Sequence, residues 1–339
     1  METRKVQKVG GSTFTVSVPK EWAKRQGLET SETVRLYTHR DGSLIVRGSQ
    51  TDGASLGAVS VPVTGSSVDA VERSIQGAYE AGFERLSLLA EDTFSDEQRR
   101  AARTTARRLV GTEVLDGDAN EIVVRAMLDA SAVSIRQSLD QTVSIVSTMQ
   151  DTVREKLTDD VETAGQVGDR MTDVTRLVAL VRRHYNRSLV SFEELDALGI
   201  DRVSLSQYDR AAMRIEEIAS ATVRLGKAAD SASLDAADRQ AIADRLTALR
   251  TAFEGATRLV VEAAKRSSAS VDPSPFEARG HLTVESIHGD GLDPSLARLF
   301  DQLRQIDQAV RAIERIGLQS AVRSGQPGHR KAENGQNDD

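Results

Sequence analysis

"TVSVPKEWAKRQGLETSETVRLYTHRDGSLIVRG", residues 15–48, reads as strand, proline, short helix, glycine, strand, hairpin and strand. Phe14, Val16 and Val18 alternate with Thr15 and Ser17, the period of a half-buried strand. Pro19 suits the first position of a helix, where its missing N–H leaves no bond unmade. Gly27 is placed to end that helix. Residues 34–37 and 44–46, joined by Arg40-Asp41-Gly42-Ser43, predict a hairpin with an Asp-Gly turn. Residues 6–9 predict one more strand, ending at Gly10-Gly11. A unit of this size buries too little surface to stand without a metal, a disulfide or a partner. The chain has no cysteine, so homodimerisation is the expected remedy.

Charge singles out the same segment. The whole chain of 339 residues carries −7. Residues 1–27 hold Arg4, Lys5, Lys8, Lys20, Lys24 and Arg25 against Glu2 and Glu21, a net of +4 that leaves −11 for the rest. Four of the eight lysines fall in the first 24 residues. General polyanion binding by the whole surface is therefore excluded, while the N-terminus is the place for a nucleic-acid contact. The six basic residues are the candidate contacts for double-stranded DNA, through phosphate neutralisation and counterion release. The plainer alternative is a solvated positive edge.

Beyond a linker at 49–57 the pattern changes. Strands are predicted at 59–63, 86–89, 113–115 and 122–127, with helices at 68–81 and 95–110. That is a small α/β domain, 58–128, in β-α-β-α-β-β order. From 131 the apolar residues step by four and three. One stripe is Ile135, Leu139, Thr142, Val146, Met149 and Val153. A second is Val167, Met171, Val174, Val178, Val181, Tyr185 and Leu189. A third helix covers 207–230. A fourth stripe runs from Ile242 to Ala263, and a last from Leu296 to Gly317. Such stripes predict an all-α helical bundle over 131–320. The polar tail from Ser324 has the composition of a disordered segment. An internal echo joins Ile215-Glu216-Glu217-Ile218-Ala219 to Ile313-Glu314-Arg315-Ile316-Gly317.

The remaining residues exclude much chemistry. Without cysteine there is no thiolate zinc site and no thiol nucleophile. His39, His184, His281, His288 and His329 show no metal-binding spacing. His184, in Arg-Arg-His-Tyr, is expected on the bundle surface. Gly10-Gly11-Ser12 lacks the Lys of a phosphate loop, and no nucleophile elbow or kinase signature occurs. The expectation is a non-enzyme. Asp169-x-x-x-Asp173 puts two carboxylates on one helix face, which could form part of a divalent-metal site built from hard oxygen ligands. A solvated helix face explains the same pair. No apolar run reaches the length of a membrane span and no signal sequence is visible, so no membrane insertion and a cytoplasmic location are expected.

Two resemblances follow from these residues. "KVGGSTFTVSVPKEWAKRQGL" followed by "VRLYTHRDGSLIVRG" resembles the AbrB/MazE/SpoVT swapped-hairpin DNA-binding domain. The resemblance implies an obligate dimer with interleaved hairpins. It also implies DNA contacts near the first strand and at the short helix, which are Arg4, Lys5, Lys8, Lys20, Lys24 and Arg25. Residues 131–320 resemble the PhoU family, a pair of three-helix repeats, through the two Ile-Glu-x-Ile-[Ala/Gly] copies and the Asp169-x-x-x-Asp173 helix ending in Arg182-Arg183. PhoU repeats usually close with Glu-Arg-Ile-Gly-Asp-His. This chain has Leu318-Gln319 and Ser220-Ala221 where that ending would lie, and only its first repeat keeps an acidic pair. The combination implies a DNA-binding regulator of phosphate uptake, with phosphate-transporter or signalling proteins as further partners. A non-transcriptional adaptor, with the head as a dimerisation clip, and an antitoxin-like autorepressor are the alternatives.

Overall fold

The computed structural model describes residues 3–11, 13–38, 42–48, 56–65, 67–115, 117–159, 164–263 and 294–324. His39, His281, His288, His329, Arg40-Asp41 of the predicted turn, most of the 49–57 linker, the 271–292 segment and the tail beyond Ser324 lie outside the described residues. The chain divides into two compact units, Met1–Ala54 and Ser55–Asp339. It comprises a small N-terminal β domain, an α/β region and a helical region.

In the first unit β1 (Gln7–Val9) pairs antiparallel with β2 (Thr13–Thr15), setting Lys8 opposite Phe14. The strand predicted to run on through Val18 stops at Thr15, and Val16 and Val18 are exposed. Pro19 caps α1 (Lys20–Arg25) instead of occupying its first turn; its carbonyl accepts the first helical bond, from Ala23, at 3.0 Å. Gly27 ends the helix as predicted. At φ +66 it lets the Leu28 N–H reach the Ala23 carbonyl (2.9 Å) and its own N–H reach Lys24 (3.1 Å), the paired closure of a Schellman motif. The hairpin is β3 (Arg35–Thr38) and β4 (Leu44–Arg47), with Leu36 opposite Val46 and Thr38 opposite Leu44.

The second unit begins with a four-stranded sheet: β5 (Ala58–Val63), β6 (Arg85–Ala90), β7 (Thr112–Leu115) and β8 (Glu121–Ala126), in spatial order β5-β6-β8-β7. β5 and β6 are parallel, and β8 runs antiparallel to both its neighbours. Crossover helices α2 (Val68–Ala81) and α3 (Asp96–Arg108) pack against each other and against the sheet. Ser67 caps α2, and Ser95 with Gln98 forms a capping box on α3. Val71, Ile75 and Tyr79 of α2 meet Leu86 and Leu88 of β6 and Ile122 and Val124 of β8. The β-α-β-α-β-β order read from sequence is the order found.

The helices are α4 (Ile135–Asp159), α5 (Ala164–Ser188), α6 (Phe192–Leu198), α7 (Arg202–Ser231), α8 (Ala236–Ala263) and α9 (Pro294–Ser324). The short α6, between the Ser191 cap and Gly199, has no counterpart in the sequence reading. α7 starts five residues before the expected 207, because Asp201 caps it by accepting from the N–H groups of Val203 and Ser204. α5 ends at Ser188, so Leu189 of the predicted stripe is exposed. α4, α5 and α7 pack on one another; α8 lies on α4 and α9, and α9 lies on α7. Ile135, Leu139, Thr142, Val146, Met149 and Val153 of α4 match the spacing of Ile242, Leu246, Leu249, Phe253, Ala256 and Val260 of α8, and all twelve are buried. Ile215 and Ile218 of α7 and Ile313 and Ile316 of α9, the two sequence echoes, are buried in this same core.

Candidate nucleic-acid interface

The first unit has almost no interior. Among its described residues only Gly48 is buried. Phe14 is 70% exposed, Leu36 60% and Leu44 58%, and Val6, Val9, Val16 and Val18 are exposed as well. The expectation of a half-buried strand is therefore corrected: the alternation is present, but among the described residues of this unit nothing covers its apolar side. Two isolated two-stranded ribbons are marginal in water. Covering these side chains would remove several large apolar groups from water, each worth about 1.5–3 kcal/mol.

The six basic side chains sit on this unit. Arg4 and Lys5 precede β1, and Lys8 lies on it. Lys20, Lys24 and Arg25 lie on α1, and all six are exposed. Lys24 approaches Glu21 at 3.7 Å, an exposed pair that leaves the ammonium available. Lys24 and Arg25 also fall in the last turn of α1, where cations complement the helix dipole.

Asp169 and Asp173 are exposed on α5. Among the described residues no three His, Asp or Glu side chains gather in a way that could hold a metal ion. Among the described residues, too, no helix is long and apolar enough to cross a membrane.

A polar cluster that sequence reasoning missed lies within the second unit, where the end of α5 meets the end of α2. Arg183 is 2% exposed. Its Nη1 donates to the carbonyls of Tyr79 (2.9 Å) and Phe83 (2.8 Å), and its guanidinium lies 4.9 Å from the Tyr79 ring centroid. Asn186 donates to the Glu80 carbonyl (2.8 Å) and Arg187 to the Gly82 carbonyl (2.8 Å). Carbonyls at and just beyond the end of α2 thus take donors from α5, with Tyr79 accepting the Gly82 N–H (3.0 Å) as well. Gly82, at φ +101, turns the chain so that they face it. His184 is 1% exposed, which corrects the expectation of a surface residue. Its Nδ1 is 2.5 Å from Glu194 Oε1 of α6, and Arg187 Nε donates to Glu194 Oε2 (2.9 Å). Burial works to raise the Glu194 carboxyl, but these two hydrogen bonds and the neighbouring charges outweigh it and hold it low. Burial lowers Arg183 to about 10, with the Arg187 charge adding to that. Arg182 bridges Glu80 of α2 (3.5 Å) and Asp209 of α7 (3.6 Å). The available signal was "RRHYNR", residues 182–187, a cationic run on a helix whose flanking Val181 is buried.

Residues 7–51 match the family model described as "Antidote-toxin recognition MazE, bacterial antitoxin". No curated protein and no solved structure matches the chain. Domains of the MazE/AbrB type usually dimerise and bind DNA, and the match supports an N-terminal DNA-binding head.

Proposed function

We propose that the chain is a homodimeric, cytoplasmic, non-enzymatic regulator whose head binds duplex DNA and whose helical region governs that binding. The observation that carries this reading is the apolar surface left uncovered on the one unit that both concentrates the positive charge and matches a DNA-binding family. Arg4, Lys5, Lys8, Lys20, Lys24 and Arg25 are its phosphate contacts. Sedimentation of the full chain should give a dimer, and Phe14→Asp should give a monomer. Duplex DNA titrated across a salt series should bind with a steep salt slope, lost in Lys20→Ala/Arg25→Ala. A monomeric wild type, or no binding at low salt, would sink the reading.

Control of phosphate uptake is the finer part of the proposal. It is supported by the PhoU resemblance of 131–320, by the echo buried at matching points of α7 and α9, and by the pairing of α4 with α8 and α7 with α9. Loss of the gene should then alter phosphate-transporter transcripts under phosphate limitation. If transporter contacts act without DNA, the adaptor reading replaces it. The Asp169–Asp173 pair belongs to this part as part of a divalent-metal site; calorimetry with Mg²⁺ or Mn²⁺ on wild type and Asp169→Asn tests it. A second reading, an antitoxin-type autorepressor, is favoured by the description of the matching family. Co-purification of a toxin encoded by an adjacent gene would establish it.

A further inference from the structure

The surface arginines of the long helices mostly stand three or four residues from an acid, as in Arg73–Asp69, Arg136–Asp140, Arg214–Glu217, Arg304–Asp301 and Arg311–Asp307. α3 departs from this beyond its first turn: Arg99 and Arg100 have Asp96 or Glu97 at that spacing, but Arg103, Arg107 and Arg108 have no acid there. It carries Arg99, Arg100, Arg103, Arg107 and Arg108 against only Asp96 and Glu97, both in its first turn. The residues three and four away from Arg103 include Arg99, Arg100 and Arg107. Like charges at this spacing repel and weaken a helix.

Arg99 has a structural task. It donates to the carbonyls of Asp118 (2.9 Å) and Ala119 (2.6 Å) and lies 5.9 Å from the Phe94 ring centroid. Arg100, Arg103, Arg107 and Arg108 are exposed, and none has an ion pair or hydrogen bond among the described residues. The helix dipole accounts for Arg107 and Arg108 in the last turn. It does not account for Arg103, nor for Arg100, which pairs with neither Glu97 nor Asp96 although both lie at pairing distance in sequence. With Arg99, Thr104 and Asp96, the guanidiniums of Arg100, Arg103 and Arg107 line an open groove of about 300 Å³.

We propose that this face of α3 is a second DNA-contacting surface, which grips phosphates and reads no bases. Duplex DNA is the occupant that supplies what the stripe lacks: closely spaced anionic oxygens able to accept paired guanidinium bonds. Arg100 to Arg107 spans about 10 Å of helix. One DNA strand presents a phosphate about every 3.4 Å along the axis, so the stripe covers about three. The proposal rests on the DNA-binding reading of the head.

The test uses the full chain, a labelled mixed-sequence duplex of about 30 base pairs and anisotropy from about 50 to 200 mM salt. The Arg100→Ala/Arg103→Ala/Arg107→Ala variant should fold, melt no lower than wild type and bind more weakly. Its slope of log affinity against log salt should fall by about 2 to 3, or about 0.9 per lost phosphate contact. The matching triple Lys variant should keep most of the slope, since the contacts read charge. An unchanged affinity and slope in the Ala variant, while Lys20→Ala/Arg25→Ala abolishes binding, overturns this surface and leaves the head reading intact. A wild type that does not bind the duplex overturns both.

Discussion

Replacing Arg183 with methionine tests whether α5 caps α2. The side chain supplies two charge-assisted hydrogen bonds to the Tyr79 and Phe83 carbonyls, each worth about 1.5–3 kcal/mol. Its stacking on the Tyr79 ring adds up to about 2 kcal/mol for a desolvated cation. Against this stands the cost of the buried charge. Burial pulls the guanidinium down to about 10, roughly 3 kcal/mol at about 1.4 kcal/mol per pH unit. The Nε also finds no partner, so the clamp works through one edge of the guanidinium. Methionine refills much of the volume but takes the donor from the Phe83 carbonyl and leaves Tyr79 with the Gly82 N–H alone. The expected net loss is about 3 kcal/mol, a fall in melting temperature of about 6 °C at roughly 2 °C per kcal/mol for a unit this large. Calorimetry with far-UV dichroism is the assay, and a separate early transition of the α/β region would fit the reasoning. A variant that melts within about 1 °C of wild type, or above it, would show that these carbonyls find donors elsewhere and that Arg183 is not the clamp.

Three further outcomes follow from the same packing. Glu194 is held below its ordinary carboxylate value, so its contribution is present above about pH 4.3 and is lost as pH falls through the lower native value; the stability gap between wild type and Glu194→Gln in urea titrations should therefore shrink in acid. Glu216 of α7 is raised, by burial first and by the Glu80 and Glu217 charges, despite Thr175 and Arg182. Its ionised form is thus disfavoured in the native state, and Glu216→Gln should be more stable than wild type at pH 7 and equal to it below about pH 4. Gly317 sits where α9 meets α8, and a Cβ there would lie 2.8 Å from Leu259 Cδ2 and Cγ. Alanine in an exposed helix would gain about 1 kcal/mol over glycine. Here Gly317→Ala should lose about 1–2 kcal/mol by overpacking, read as a lower denaturation midpoint.

The order of elements was legible because each element carries its own period. Alternation marked the strands, steps of four and three marked α4, α5, α8 and α9, and Gly27 closed α1 as expected. Exposure in the head was not legible in the same way. The alternation of Phe14, Val16 and Val18 states which side chains need cover, but not that the described residues of their own unit leave them exposed. The α5–α2 joint left almost no trace, since the carbonyls it satisfies belong to the backbone and have no residue signature. His184 was misplaced for that reason: its neighbours in sequence are charged, yet its neighbours in space are Glu194 and the packed end of α5. The α3 arginines were plain in the sequence, but only the structure shows them exposed on one face without acidic partners.

The joint also limits how a change in the helical region can reach the α/β region. α5 contributes Val174, Val178 and Val181 to the bundle core and Ala179 to the core around the sheet. Pulling its cationic end away from α2 would strip donors from the carbonyls of Gly82 and Phe83 together, at about 1–3 kcal/mol for each acceptor left unpaired, and leave Tyr79 with the Gly82 N–H alone. A shift of α5 therefore costs less if α2 moves with it. α3, packed on α2, is carried along in the same displacement. The groove of about 560 Å³ between α5, α7 and α9 includes Arg182 in its lining. Because Arg182 holds both Glu80 and Asp209, an anion entering that groove would compete for the residue that ties α7 to α2.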